Sequence, residues 1–540
     1  MRVSKKPISA ALVLLCASYY GLNTAEAIEF DTGNTDLKAR WDNTVTYSTA
    51  RRTKSPSSRL TSDINLDDGD RNFRGMISNR VDLLSELDVT YKNFGARVSA
   101  AGWYDDVYNQ GTKNNSLSTV NSYSVAPGRF PDETRKLHGR NAEILDAYVF
   151  GRFDLGNSPT TLRLGKHTLL YGESLFFGSN GIAGAQAPVD VIKALSVPGS
   201  QVKEVLRPVN QLSVQSQLTP QISMGAYYQL EWKANRLPGA GSYFAPLDMG
   251  GPGAERFFVG DGAAFFKQGD MKAKDSGQFG AQLRFRPSGG DIEYGLYALK
   301  FHSKTPALYL YPGDGFNPVT GQVGATREVY AENIKLYGMS ASTTINDIGV
   351  AGEISVRRDN PLLSTGQVAI PGVTNNSNDP GYAVGNTAHA QVSALYSLPR
   401  NAIWDSASIA GEVAWARVTS VTKNAQALEP LRKKDGLAFR MIIEPSYFQV
   451  LPGLDISVPL GVGYTPKGKS WASSMGANRS GDISIGIKGD YLKTWRFGVS
   501  YTHYFGPEGT IYDGSANYTS TFKQWMKDRD FISLNVQRTF

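Results

Sequence analysis

Along much of this 540-residue chain, side chains alternate between apolar and polar at every step, in stretches of about ten residues. In 37–47, Leu37, Ala39, Trp41, Val45 and Tyr47 share one face, and Lys38, Arg40, Asp42, Thr44 and Thr46 the other. In 80–91, Val81, Leu83, Leu87, Val89 and Tyr91 oppose Arg80, Asp82, Glu86, Asp88 and Thr90. In 222–232, Ile222, Met224, Ala226, Tyr228, Leu230 and Trp232 oppose Ser223, Tyr227, Gln229 and Glu231. A period of two is that of a strand with unlike surroundings on its two faces. One such stretch would suit a half-buried strand of a soluble sandwich; many of them, joined in a regular way, do not. Short connections with turn-forming residues (Asn93-Phe94-Gly95, Pro287-Ser288-Gly289-Gly290, Asn346-Asp347, Pro452-Gly453) alternate with long ones such as 48–79, 172–208 and 233–276. That asymmetry belongs to bacterial outer-membrane barrels. The pattern predicts an all-β fold: a transmembrane antiparallel up-and-down β-barrel with short periplasmic turns and long extracellular loops. The turn count gives eighteen strands, from 37–47 to 531–540, with sixteen as the nearest alternative.

Both ends of the chain agree with export. Arg2, Lys5 and Lys6, the apolar run Ile8–Ala17 and Ala25-Glu26-Ala27 read as a signal peptide over 1–27, leaving 28–540 as one barrel domain. Cys16, the only cysteine, lies in that leader, so the mature chain is expected to hold no disulfide. No later stretch reaches the roughly 18 apolar residues of a membrane helix. At the other end, Ile532, Leu534, Val536 and Phe540 share a face, and Phe540 closes a strand of the kind read by the barrel-assembly machinery. Arg538 departs from that pattern at the periplasmic rim, where a charge facing lipid costs little.

Composition adds exclusions. Hydrophobic residues are 41% and mean hydropathy is −0.30, which rules out a helical membrane protein, while 27 Tyr and 24 Phe suit strands and aromatic girdles. The net charge of +7 is scattered and forms no basic block, so nucleic acid is not an expected partner. His138, His167, His302, His389 and His503 lack metal-ligand spacing, and no nucleophile elbow or phosphate-binding glycine loop is present. No catalytic residue, metal or cofactor is expected, and the chain is not read as an enzyme. Asp63-Ile-Asn-Leu-Asp67-Asp68-Gly69-Asp70 has the look of a calcium loop, but its glycine comes one place late and Arg74 stands where the twelfth-position Glu belongs. It is read as an acidic outer-loop turn.

Eighteen strands enclose an aqueous lumen unless loops fill it. Alternation places Lys38, Arg40, Arg80, Arg97, Arg163, Arg284, Arg357, Arg440 and Lys488 on the inner face, with Asp42, Asp82, Glu86, Asp88, Asp146, Glu231, Glu293, Glu353, Glu412 and Glu444. Mutual pairing would keep such a lumen polar and stiff; a ladder selecting a charged solute is the sharper alternative. Segment 172–208 is too apolar for a solvated outer loop. It is expected to fold into or over the lumen as a constriction, with Phe176, Phe177, Val189, Asp190 and Lys193 as its principal residues, or else to cap a homotrimer. Segment 233–276, rich in Gly, Phe and Ala, is a second candidate for a mobile lid or an apolar entry.

Six stretches together resemble a proteobacterial outer-membrane family catalogued only as a domain of unknown function. They are Asn65–Phe73, Leu145–Val149, Leu162–Lys166, Tyr171–Ser174, Pro188–Val191 and Val202–Val205. The resemblance covers most of the mature chain and assigns no residue a role. It implies a porin-like barrel working with a periplasmic or outer-membrane lipoprotein and an efflux-type transporter of the inner membrane, and passing hydrophobic small molecules. The resulting expectation is an outer-membrane channel for hydrophobic or amphipathic solutes, in contact with outer-membrane lipids. The alternative is a plugged barrel serving only as a docking component of the envelope.

Overall fold

A computed structural model describes residues 28–114, 116, 119–200, 202–514 and 519–540. The expected leader, with Cys16, lies outside the described residues. The barrel strands are Leu37–Arg52 (β1), Met76–Tyr91 (β2), Phe94–Asp105 (β3), Arg140–Leu155 (β4), Ser158–His167 (β5) and Val209–Thr219 (β6). Then come Ile222–Gln229 (β7), Gln278–Phe285 (β8), Glu293–Phe301 (β9), Ile334–Ile345 (β10), Ile348–Pro361 (β11) and Val384–Leu398 (β12). The last six are Ser406–Lys423 (β13), Asp435–Leu451 (β14), the two-part Leu454–Ser457 and Leu460–Lys467 (β15), Ser480–Tyr491 (β16), Trp495–Phe505 (β17) and Phe531–Thr539 (β18). Each pairs antiparallel with its neighbours, and β18 returns to β1 from Thr44↔Thr539 to Arg52↔Phe531, so the eighteen strands close. Closure removes the free edges that a bilayer would leave without hydrogen bonds.

Local chemistry explains the turns and the one break. Asn346 and Asp347 both take positive φ (47° and 67°) in a two-residue hairpin, a geometry Asn and Asp tolerate. β15 is interrupted at Pro459, which has no N–H to offer the ladder, and the Val458 N–H bonds instead to Pro445 O at 2.9 Å. At the seam, Asn43 and Phe540 exchange backbone bonds of 2.8 and 3.1 Å. Below them the short strand Ile28–Phe30 pairs with Ala39–Trp41 and covers the edge that β18 leaves open. Arg538 lies 4.9 Å over Trp495 and 4.5 Å over Phe540, so its charge on the rim is sheltered by two aromatic faces.

Trp41, Leu83, Leu87, Val98, Ile144 and Leu164 are exposed on the outer wall, whereas Thr44, Ser48, Asp82, Glu86 and Ser99 are buried inside. A belt of apolar side chains facing outward is the surface a bilayer requires. Among the described residues no helix is long and apolar enough to cross a membrane. Leu83 is 46% exposed near mid-strand, so Leu83→Arg is expected to cost about 2–4 kcal/mol of folding free energy in lipid. Urea titration of the barrel refolded in vesicles measures this, and a cost near zero would place Leu83 away from the hydrocarbon.

The outer loops are not loose. Arg256–Gly260, Ala263–Lys267, Ala307–Pro312, Gln322–Val329 and Gln367–Val368 form a separate five-stranded mixed sheet above the barrel, which the sequence pattern does not reveal. Beneath it, Phe73, Tyr108, Phe130, Tyr243 and Phe244 pack with Ile77 and Phe531. Segment 233–276 is therefore held in a packed cap: Tyr243 and Phe244 are fully buried, in contrast to the mobile lid expected of it.

Candidate functional site

The connection from β5 to β6 leaves at His167 and returns at Val209, two residues that face each other in the ladder. Between them the chain crosses the bore. Its first half reaches β11, β12 and β13, six to eight strands away around the ring. There Glu353 accepts the N–H groups of Glu173 (2.7 Å) and Ile182 (2.8 Å) and the Gln391 side-chain amide (3.0 Å). Glu412 accepts the N–H groups of Leu175 (3.2 Å), Phe176 and Phe177 (2.8 Å). Arg357 donates to the carbonyls of Ser179, Asn180 and Gly181, each at 2.9 Å. His389 Nδ1 meets Asn180 Oδ1 at 2.9 Å. Two inner-wall carboxylates and one guanidinium thus satisfy backbone groups of residues 173–181, which lie in no helix or strand, and of Ile182, which opens the short 3-10 helix Ile182–Ala185. The segment lies so close to the wall that a Cβ at Gly172 or Gly181 would collide with Glu353.

The second half braces against the opposite wall. Asp190 caps the helix Val191–Ser196 through the Lys193 N–H (3.0 Å) and receives Arg236 at 2.7 Å. Arg236 also pairs with Glu143 of β4. Lys193 pairs with Glu204 at 3.1 Å, and Lys193, Arg236 and Arg80 all lie within 6 Å of the Trp103 ring. Val189 donates to Asn235 at 2.8 Å, Lys203 pairs with Glu86 of β2, and Gly199 lies against Asn535 of β18. The loop therefore spans the lumen from one wall to the other.

The remaining inner charges mostly pair with one another. Arg40 meets Asp42 (2.9 Å), Arg80 meets Asp82 with two bonds of 2.7 Å, and Arg440 meets Asp482 at 3.2 Å. Arg97 bridges Glu86, Asp88 (2.7 Å) and Asp146 (3.6 Å). Arg284 pairs with Glu293 and, at 2.8 Å, with Glu173 of the crossing loop. Glu231 lies just past the end of β7 and pairs with Lys233 at 2.9 Å. Arg163 faces the bore over the Tyr148 ring at 5.9 Å, and among the described residues no carboxylate pairs with it. Periodicity places Glu353, Arg357 and Glu412 on the inner face but cannot single them out as the anchors. Their ligands are backbone groups, which leave no mark in side-chain patterning.

One sector of wall differs from the rest. From β7 to β10, Tyr227, Tyr297, Leu299, Phe301, Ile334 and Leu336 point inward and pack with Tyr171, Ile182 and Ala185 of the loop. On the outer side of the same sector, small residues (Ala281, Ala298, Gly338, Ala388, Ala390) sit among larger ones (Met224, Leu296, Met339, Ile354, Trp415). They leave an apolar groove of about 700 Å³. Barrel interiors are ordinarily polar; here an apolar cluster lines β7, β9 and β10 on the inside, beside Gln278, Gln282 and Arg284 of β8.

No curated protein matches the chain. Many solved structures are similar in fold outline, and three serve as examples. They are Acinetobacter baumannii OccAB4 (10% identity, 95% of this chain and 100% of that one, TM-score 0.45), Pseudomonas aeruginosa OccD3 (10%, 96% and 93%, 0.41) and Pseudomonas aeruginosa OpdK with vanillate (9%, 93% and 98%, 0.40). Likeness of this degree assigns nothing to this chain. Residues 7–540 match the family described as "Protein of unknown function (DUF1302)", and the chain belongs to that family.

Proposed function

We propose that this protein is an outer-membrane channel for small hydrophobic or amphipathic molecules, constricted by the loop 172–208. The observation that carries this reading is the apolar cluster that β7, β9 and β10 present to the loop, behind an outer wall that is apolar toward lipid. Where the loop lifts from this wall, a solute with a greasy body and a polar end would find the aromatic and aliphatic side chains that Tyr171, Ile182 and Ala185 cover. Paired charges around Arg97 and the guanidinium of Arg163 line another flank of the bore. Action with a lipoprotein and an inner-membrane efflux-type transporter belongs to the same proposal, and its support is the family resemblance alone.

Flux into proteoliposomes tests it. Small aromatic acids or steroids are expected to enter faster than sugars of equal mass. Equal rates would remove the hydrophobic preference. Passage of neither class, with or without partners, would favour a plugged barrel acting as a docking component.

A further inference from the structure

Asp63–Asp70 fails as a linear calcium loop, yet the fold supplies it with a carboxylate from far along the chain. Asp248, 180 residues beyond Asp68, accepts the Asp68 N–H at 2.8 Å and the Gly241 N–H at 3.0 Å. One carboxylate oxygen from each of Asp67, Asp68 and Asp248 lies within 4.8 Å of the other two, and all three residues are buried. Among the described residues the only cationic side chain paired with any of them is Arg71, on Asp67 Oδ2. The nearby Arg52 and Arg529 are taken up by Asp70. Three buried carboxylates against one guanidinium leave two negative charges without a partner, in surroundings where like charges cannot all remain ionised. Burial, then the charge of Asp68, pushes the Asp248 carboxyl well above the usual carboxylate range. Burial likewise pushes Asp67 up to about 7, against the bond from Arg71.

A second observation points to a ligand. Asp67 is only 4% exposed, and among the described residues none hydrogen-bonds its buried Oδ1. An orphaned buried acceptor costs about 1–3 kcal/mol unless some group meets it. Asp68, by contrast, is already oriented by Asn114 (2.9 Å), Asn121 (3.1 Å) and Thr119, the support that ligating carboxylates require. A polar cavity of about 10 Å³ opens beside Asp68, between Asn72, Asn114, Thr119 and Asn121, with room for about one water.

We propose that Asp67, Asp68 and Asp248 bind one Ca²⁺ ion, which clips the first outer loop to the 241–248 segment of the cap. The donors are all oxygen, the choice of a hard cation, and a dication matches the two unpartnered charges. Ca²⁺ accepts six to eight oxygens in flexible geometry, which suits carboxylates brought together by two irregular loop segments, whereas Mg²⁺ demands a near-ideal octahedron. The site stands independently of the channel reading.

The test uses the full barrel in detergent, stripped with chelator and titrated calorimetrically with CaCl₂. One equivalent is expected to bind, at least tenfold more weakly in Asp248→Asn and in Asp67→Asn, and unchanged in Asp435→Asn, which lies at the outer end of β14. Calcium should also slow amide exchange in 64–72 and 241–248 of the wild type, a readout that needs no variant to fold. Absence of binding at millimolar Ca²⁺ would overturn the proposal and leave shared protons as the compensation. Binding indifferent to both Asn variants would overturn it equally.

Discussion

Deleting residues 175–205 is expected to raise single-channel conductance several-fold. The deletion is geometrically mild. His167 and Val209 are ladder partners, so the residues that remain between them close a short outer connection between adjacent strands. What it removes is the cross-piece that Glu353, Arg357 and Glu412 fix to the far wall and that Lys203 and Arg236 brace on the near one. Hydrogen bonds to charged groups contribute about 1.5–3 kcal/mol each, so five backbone N–H groups held by two carboxylates make a firmly seated segment. Glu412→Ala, which releases three of those groups, should give a smaller rise with more current noise. Planar-bilayer recording reads both. A deletion that leaves conductance unchanged in a correctly folded barrel would show that the loop does not limit passage.

Arg529→Met should loosen the cap while leaving the barrel intact. Arg529 is 2% exposed, bonds to both oxygens of Asp70 (3.1 and 3.0 Å), donates to the carbonyls of Tyr243 and Ala245, and lies 4.8 Å over Trp525. Asp70 would keep Arg52 (2.9 Å), but two buried carbonyls would lose their donor. Removing one member of a buried ion-pair network costs about 3–5 kcal/mol. Faster amide exchange in 66–73 and 243–245, with the barrel strands still protected, is the expected signature. Unchanged protection of those segments would mean that the aromatic cluster around Phe73 and Tyr243 holds the cap without the charge network.

The barrel was legible because lipid on one side and water on the other force a period of two on every strand. All eighteen sequence-assigned strands correspond to strands of the structure. The differences lie at their ends, as where 37–47 extends to Arg52 and 222–232 stops at Gln229, and at Pro459, which divides β15. The crossing of 172–208 was legible from its apolar residues, but its destination was not. Glu353 and Glu412 lie about 180 and 240 residues away and bind backbone, so Leu175 or Phe176 could have faced any wall. The outer sheet stayed hidden because its strands are short and two of its pairings are parallel, between segments distant in the chain. The same distance concealed Asp248 from the acidic turn at Asp67.

At the seam, Ile28–Phe30 lies along β1 directly beneath Phe540, so the first and last strands among the described residues finish on one ladder. The described chain from Ile28 to Phe540 is topologically almost a circle, and a few residues linking Phe540 to Ile28 would break no ladder bond. Any short turn could then serve as the opening instead, as circular permutants of other folds allow. Closure thus gives β18 no privileged place in the ring.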